Sequence, residues 1–402
     1  MTSSPPHTSS VIVRIYPVLL FTLACYTVIG LQMAVVPLFV HLTLGYSAAL
    51  AGFAVSAQYL ATLATRTCAG KRLDTSGARP VVLTGLIVGA LSGLLLAAAT
   101  FCTAIPSLSL GLLLIGRALL GFSESWVAVG VIIWNMHRAG AAHSATVISW
   151  NGVCSYGGIA LGAPIAAMIF SSHASFGGLV GVGLLSTLLF VACIPNALRQ
   201  ETTRPAPQTG PKPGFTAIFR AIMPYGCALG AGSVGFGAIV SCLTLYFNDR
   251  NWSGAAIALA VFGGFFVLTR FIFSNMIRKI GGERVTLISM GVETLGLLVI
   301  AGGSSPILAN IGAALTGVGF SLVFPALGVM AIERLGAENR GVALGGFSVF
   351  LDLAIGASGP GLGMIIPVWG FPTLFVVAAA FCALGFFLTL TLRKNTHAVP
   401  AS

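Results

Sequence analysis

TRTCAGKRLDTSGAR, from Thr65 to Arg79, and TRFIFSNMIRKIGGE, from Thr269 to Glu283, each close a long apolar run and stand 204 residues apart (269 − 65). Thr65-Arg66, Gly70, Asp74 and Gly77 align with Thr269-Arg270, Ser274, Arg278 and Gly281. Two further matches keep the chain order. GFSESWVAVGV from Gly121 pairs with GFSLVFPALGV from Gly319, and Pro164 of GGIALGAP pairs with Pro360 of AIGASGPGLG. Three ordered matches indicate one plan used twice.

The 402 residues are 56% apolar and 7% charged, with a mean hydropathy of +0.99. A water-soluble globule of this size would not stay in solution with that composition, so the solvent for most of the chain is lipid. A spanning helix needs roughly 20 apolar residues. Such runs lie near 15–40, 46–68, 80–101, 107–135, 145–170 and 176–197, then near 218–246, 253–276, 285–303, 306–332, 340–367 and 370–392. The expected fold is therefore an all-α membrane protein of about twelve transmembrane helices. It divides into two pseudo-symmetric six-helix bundles, 1–197 and 218–402, joined by a Pro- and Thr-rich linker at 198–217. Many of the 51 glycines fall inside the runs, as expected where helix backbones approach closely without a hydrophobic force between them.

The net charge of +11 is decided by its placement. With the amino terminus in the cytoplasm, all of the 20 Lys and Arg except Arg117, Arg250 and Arg270 fall on the cytoplasmic side. The positive-inside rule then puts both termini inside, and the basic balance marks orientation, not nucleic-acid binding. The eight cysteines lie in or at the ends of the runs, with no CxxC, and read as small buried apolar residues. His137 and His143 are six apart, a poor spacing for one metal-binding helical face. No metal or cofactor is expected. With no GxxxxGK[ST] loop, direct ATP drive is also set aside.

GKRLDTSGAR, Gly70 to Arg79, resembles the loop signature of the major facilitator superfamily, with Gly70, Asp74, Gly77 and Arg79 at the matching positions. Thr75 stands where a basic residue is usual, and the second copy carries Arg278 where an acid is expected. IGRALLGFSES resembles the family's second signature, built on Arg117, and GGIALGAP resembles the helix-five signature of exporters with Ala163 inserted before the proline. TRTCAGKRLDTSG, GFSESW and SWNGVCSYGGIALGAP are similar to a bacterial subfamily of arabinose-efflux-like and drug-efflux-like permeases. The resemblance implies a monomeric transporter of the bacterial inner membrane that moves a small molecule through a path between the two halves.

Charges inside a span need a reason, since each costs roughly 2.5 to 3.5 kcal/mol at the bilayer centre. Arg117 and Glu124 are seven apart on helix four, on one face and separated by about 10 Å along the axis. Leu315 and Leu322 replace them in the second half. With Asp352 of helix eleven, which holds the position of Tyr156 in helix five, they are the candidates for proton coupling. Glu293 of helix nine is expected outside the cavity ring. Substrate candidates are Gln32, Trp126, Asn151 and Tyr156. Arg66 and Arg270, with Gly70, Asp74, Gly77, Arg79, Arg278 and Gly281, read as gate or loop anchors; Gly158, Gly162, Pro164, Gly359 and Pro360 read as bending points. The expected function is proton-coupled efflux. An importer or facilitator of a sugar or metabolite is the alternative, and a membrane enzyme or sensor lacks a nucleophile cluster or a soluble domain to support it.

Overall fold

A computed structural model describes residues 8–140, 143–172, 177–201, 215–273, 275–335 and 340–396. Among the described residues all regular structure is helical. The first half holds α1 (Thr8–Leu38, continued by a π-helical turn Phe39–Thr43), α2 (Ala48–Ser76), α3 (Ala78–Phe101), α4 (Pro106–Ala139), α5 (Ser144–Ser172) and α6 (Gly177–Arg199). The second holds α7 (Phe215–Asp249), α8 (Ala255–Ile272), a short α9 (Met276–Ile280), α10 (Gly282–Gly302), α11 (Pro306–Ser321), α12 (Val323–Leu335), α13 (Arg340–Gly363) and α14 (Ile366–Thr396). Ten spans among the described residues are long and apolar enough to cross a membrane. Helices α5 and α13 occupy the fifth and eleventh expected runs.

Local signals explain the ends. Pro106 and Pro306 open α4 and α11 at the first helical turn, where a missing N–H costs nothing and φ is already helical. Gly77 and Gly281, the aligned glycines of the repeated stretch, precede α3 and α10 with φ of 82° and 87°, a region that a side chain disfavours. The hydroxyls of Thr65 and Thr269 bond back to the carbonyls of Ala61 and Phe265 at 2.8 and 2.7 Å. The two copies thus share backbone detail as well as pattern.

The tenth expected run is not one helix. It breaks at Leu322 between α11 and α12, because Pro325 has no N–H to give to the Ser321 carbonyl one turn back. An Arg270 guanidinium N–H donates to that carbonyl at 3.2 Å, and the Ser321 hydroxyl donates to the Phe266 carbonyl at 2.7 Å. The helices run on through Pro164 and Pro360, so neither proline ends its helix. Their neighbouring glycines allow close helix approach. Gly158 and Gly162 of α5 lie against the backbone of α1 around Thr27, and Gly359 of α13 lies against Gly52 of α2, with no room for a Cβ in either seam. Of the cysteines, Cys25, Cys242 and Cys382 are buried while Cys68 and Cys227 are exposed, a placement that an apolar thiol tolerates on an outward helix face.

The chain packs into two compact units, Met1–Val35 with Leu60–Gln208, and Val36–Tyr59 with Thr209–Ser402. Residues 36–59 group with the second unit, where the first turns of α2 pack against α13 at Gly52 and Gly359. Substituting Gly77→Ala forces a side chain into a conformation costing about 1–3 kcal/mol, and the thermal unfolding midpoint in detergent should fall. Gly70→Ala is the control: its added methyl meets nothing within 4 Å, and replacing a helical glycine should leave the midpoint unchanged or raise it.

Candidate functional site

In the first unit, polar side chains from α1, α2, α4 and α5 meet across helix seams. Arg117 of α4 is 0% exposed and donates through Nη1 to Oε1 of Gln32 in α1 at 3.2 Å, Gln32 being 0% exposed as well. Glu124, two turns along α4 and 5% exposed, accepts from the Thr62 hydroxyl of α2 at 3.1 Å. The same hydroxyl stands 3.1 Å from the Gly121 carbonyl. Asn151 of α5 accepts at Oδ1 from the Thr22 hydroxyl of α1 at 2.8 Å. Between these bonds, Tyr26 of α1 lies within electrostatic reach of Glu124, Tyr156 and Arg66.

Each partner is placed by helical spacing. Thr22 and Tyr26 are one turn apart on α1, as are Thr62 and Arg66 on α2, so each pair shares a face. The close α1–α5 seam brings Asn151 to Thr22, because Gly30, Gly158 and Gly162 let the two backbones touch. The layer therefore contains a cation, a carboxylate, two amides, hydroxyls and a phenol on four helices. Chemically it can bind a polar solute and carry a proton at Glu124. The Nε2 of Gln32 is buried with no hydrogen-bond partner, leaving a donor unspent beside Arg117. Such a group costs about 1–3 kcal/mol when left unmade.

The family model for the Major Facilitator Superfamily matches residues 18–306 and 254–402. Two relatives match over nearly their whole length. An uncharacterized MFS-type transporter of Burkholderia mallei (strain SAVP1) is 42% identical over 393 residues, covering 98% of this chain and 95% of the relative. One from Pseudomonas aeruginosa (strain UCBPP-PA14) is 40% identical over 399 residues, covering 98% of each. The chain belongs to the Major Facilitator Superfamily.

Solved transporter structures share the fold at low identity. The POT family transporter PepTSo superposes with a TM-score of 0.76 at 10% identity, covering 98% of this chain and 100% of that one. The nucleoside transporter NupG gives 0.74 at 15%, covering 94% and 99%. The xylose transporter XylE from E. coli, in a partially occluded inward-open form, gives 0.73 at 12%, covering 96% and 100%.

The remaining candidates divide. Trp126 does not join the polar layer: it stacks on Phe122 at 4.6 Å, and its Cβ borders Gly85 of α3. Two residues past Glu124, it lies on the far side of α4. In the superfamily loop, Gly77 and Gly281 set the turns described above. Asp74 is exposed on the last turns of α2, Arg79 is half-buried, Arg278 is exposed, and Gly70 borders open space. Arg66 and Arg270, aligned in sequence, have different surroundings: Arg66 lies near Tyr26, whereas Arg270 serves the broken α11–α12 joint and sits 5.2 Å over the Phe266 ring.

In the second unit Asp352 is buried on α13 at 3% exposure. Glu293 is fully buried between α7, α11 and α14, against Gly235, Gly319 and Cys382. Sequence reading missed Thr22 and Thr62. For Thr62 the signal was the recurrence Gln58, Thr62, Arg66 every fourth residue of α2, which marks a polar stripe.

The Arg270 assignment is testable by a double-mutant cycle. Arg270→Met removes the donor to the Ser321 carbonyl and should cost about 1–3 kcal/mol, read as a lower unfolding midpoint. Adding Pro325→Ala, which returns the helical N–H, should recover part of that loss, and the shortfall from additivity measures the coupling.

Proposed function

We propose that this superfamily member is a secondary active transporter of the bacterial inner membrane that exports a small organic molecule in exchange for protons by alternating access. The observation that carries the reading is the buried polar layer on α1, α2, α4 and α5. Its Arg117–Gln32 bond and its Glu124–Thr62 bond lie on one face of α4. In lipid such a face is costly unless it lines a wet path or meets a ligand. Gln32 supplies the unspent donor and Arg117 the positive field for substrate, with Asn151 and Tyr156 completing the polar contacts. Asp352 is the second proposed coupling acid.

The Thr62 hydroxyl gives Glu124 a way to report its proton. It has one hydrogen and two acceptors at 3.1 Å, Oε2 of Glu124 and the Gly121 carbonyl. With Glu124 ionised, the carboxylate is the stronger acceptor and ties α2 to α4 through side chains. Once Glu124 takes a proton, the hydroxyl turns to Gly121 and the carboxyl becomes a donor. Protonation thus changes which side-chain bond joins the two helices, a local event of the kind that biases a two-state movement.

The orientation, both termini cytoplasmic, is supported by the basic residues flanking α2, α8 and α10. Arg250, the exception on the opposite side, has its guanidinium 5.5 Å from the Tyr246 ring and 5.9 Å from that of Trp252.

Everted vesicles loaded with a pH gradient test the coupling against a panel of sugars and amphipathic drugs. A transported compound should collapse part of the gradient in wild type, and Glu124→Gln should reduce this to the level of empty vesicles. Uptake that is indifferent to the gradient and unchanged in Glu124→Gln would replace antiport by facilitation; solute-driven alkalinisation in the opposite sense would indicate an importer. The Gly52–Gly359 seam gives a second test. Gly359→Trp cannot fit the backbone contact, so folded protein carrying it should lose transport if the seam must close in each cycle.

A further inference from the structure

The second unit carries a feature that the transport reading does not use. A cleft of about 120 Å³ opens between α8, α9, α10 and α11, lined by Thr269, Phe273, Met276, Ile288, Val292 and Val318 among others. Its wall is almost wholly apolar, and its rim is open to the outside of the helices, with Ile288 51% and Phe273 42% exposed. It is comparable to the ~150 Å³ apolar cavities that take a benzene-sized guest, so it holds a few methylene groups of a chain.

Basic side chains stand at one end of this cleft. Met276 lines it, and Arg278 and Lys279 follow on the same short helix, both exposed. Arg284 is exposed one turn before Ile288 on α10, so the two share a stripe that runs from the helix start to the cleft rim. Glu283 is the acid beside them. Arg270 is directed to the Ser321 carbonyl. A basic rim over an apolar slot at a span end matches an amphiphile with a negative head and a hydrocarbon tail.

We infer that this cleft is a binding site for an anionic phospholipid, one acyl chain lying in the slot between α8, α10 and α11 and the phosphate resting among Arg278, Lys279 and Arg284. Basic pockets between helices at the cytoplasmic side of a membrane recognise such headgroups. The site faces the cytoplasmic leaflet on the orientation proposed above, but the binding does not depend on that orientation or on transport.

Native mass spectrometry of the purified protein with phosphatidylglycerol or phosphatidylcholine of the same chains tests it. Wild type should retain phosphatidylglycerol preferentially. Combined Arg278→Gln, Lys279→Gln and Arg284→Gln should lower that retention by about fivefold for each basic residue removed, down to the phosphatidylcholine level. Val292→Phe, which fills the slot and keeps the charges, should lower retention of both lipids. A diazirine in the acyl chain of phosphatidylglycerol should label wild type within residues 269–292. Equal retention of the two lipids by wild type, undiminished retention by the triple variant, or labelling confined to other segments overturns the proposal. So does a dimer whose crosslinks map to 269–292, which assigns the cleft to a second copy of the chain. None of these outcomes alters the vesicle result for Glu124.

Discussion

Inside hydrocarbon no solvent is available to satisfy a polar atom, and most of this structure follows from that constraint. The backbone meets it by forming helices. The side chains meet it by bonding across seams: Arg117 to Gln32, Thr62 to Glu124, Thr22 to Asn151. Each bond fixes the rotation of one helix relative to its neighbour, because a small turn about either axis would strand a buried polar group. Cohesion along the rest of each seam comes from close backbone approach. Glycine is required at Gly162 against α1 and at Gly359 against α2, where any Cβ would overlap main chain.

Duplication gives the two halves a common backbone, and the same constraint shows where they part. The turns at Gly77 and Gly281 have nearly the same φ. Arg66 and Arg270 hold aligned positions, yet Pro325 in the second half orphans the Ser321 carbonyl and Arg270 supplies a donor to it. The first half has Val127 at the position aligned with Pro325, so its arginine has no such orphaned carbonyl to satisfy and lies near Tyr26 and the polar layer. A single missing N–H thereby assigns different work to two residues that sequence alone treats as equivalent.

The proposed lipid site follows from a related asymmetry. Helix α8 ends early and the short α9 packs Met276, Ile277 and Ile280 onto a core of Val285, Leu322 and Ala326. The apolar cleft opens above that packing, with charge beside it. In the first half α2 runs unbroken from Ala48 to Ser76, and the corresponding loop begins only after it.

The all-helical membrane fold, the repeat and the basic asymmetry were legible in the chain alone, because hydrophobic length, charge placement and glycine spacing are local quantities, and the superfamily was legible through the resemblance of its loop and helix motifs. The sequence also marked Arg117, Glu124, Gln32 and Asn151, since a polar group in an apolar run stands out without knowledge of its neighbours. Threonines did not stand out. Thr22 and Thr62 are commonplace in such runs, and only packing decides whether a hydroxyl bonds its own helix, as Thr65 does, or a carboxylate on another. The surroundings of Trp126, stacked on Phe122, were also left to packing, because an aromatic residue suits both a cavity and a helix interface. The break at Leu322 and the grouping of residues 36–59 with the second unit were likewise left to tertiary structure, which decides which orphaned group is satisfied and which backbone comes close enough to touch.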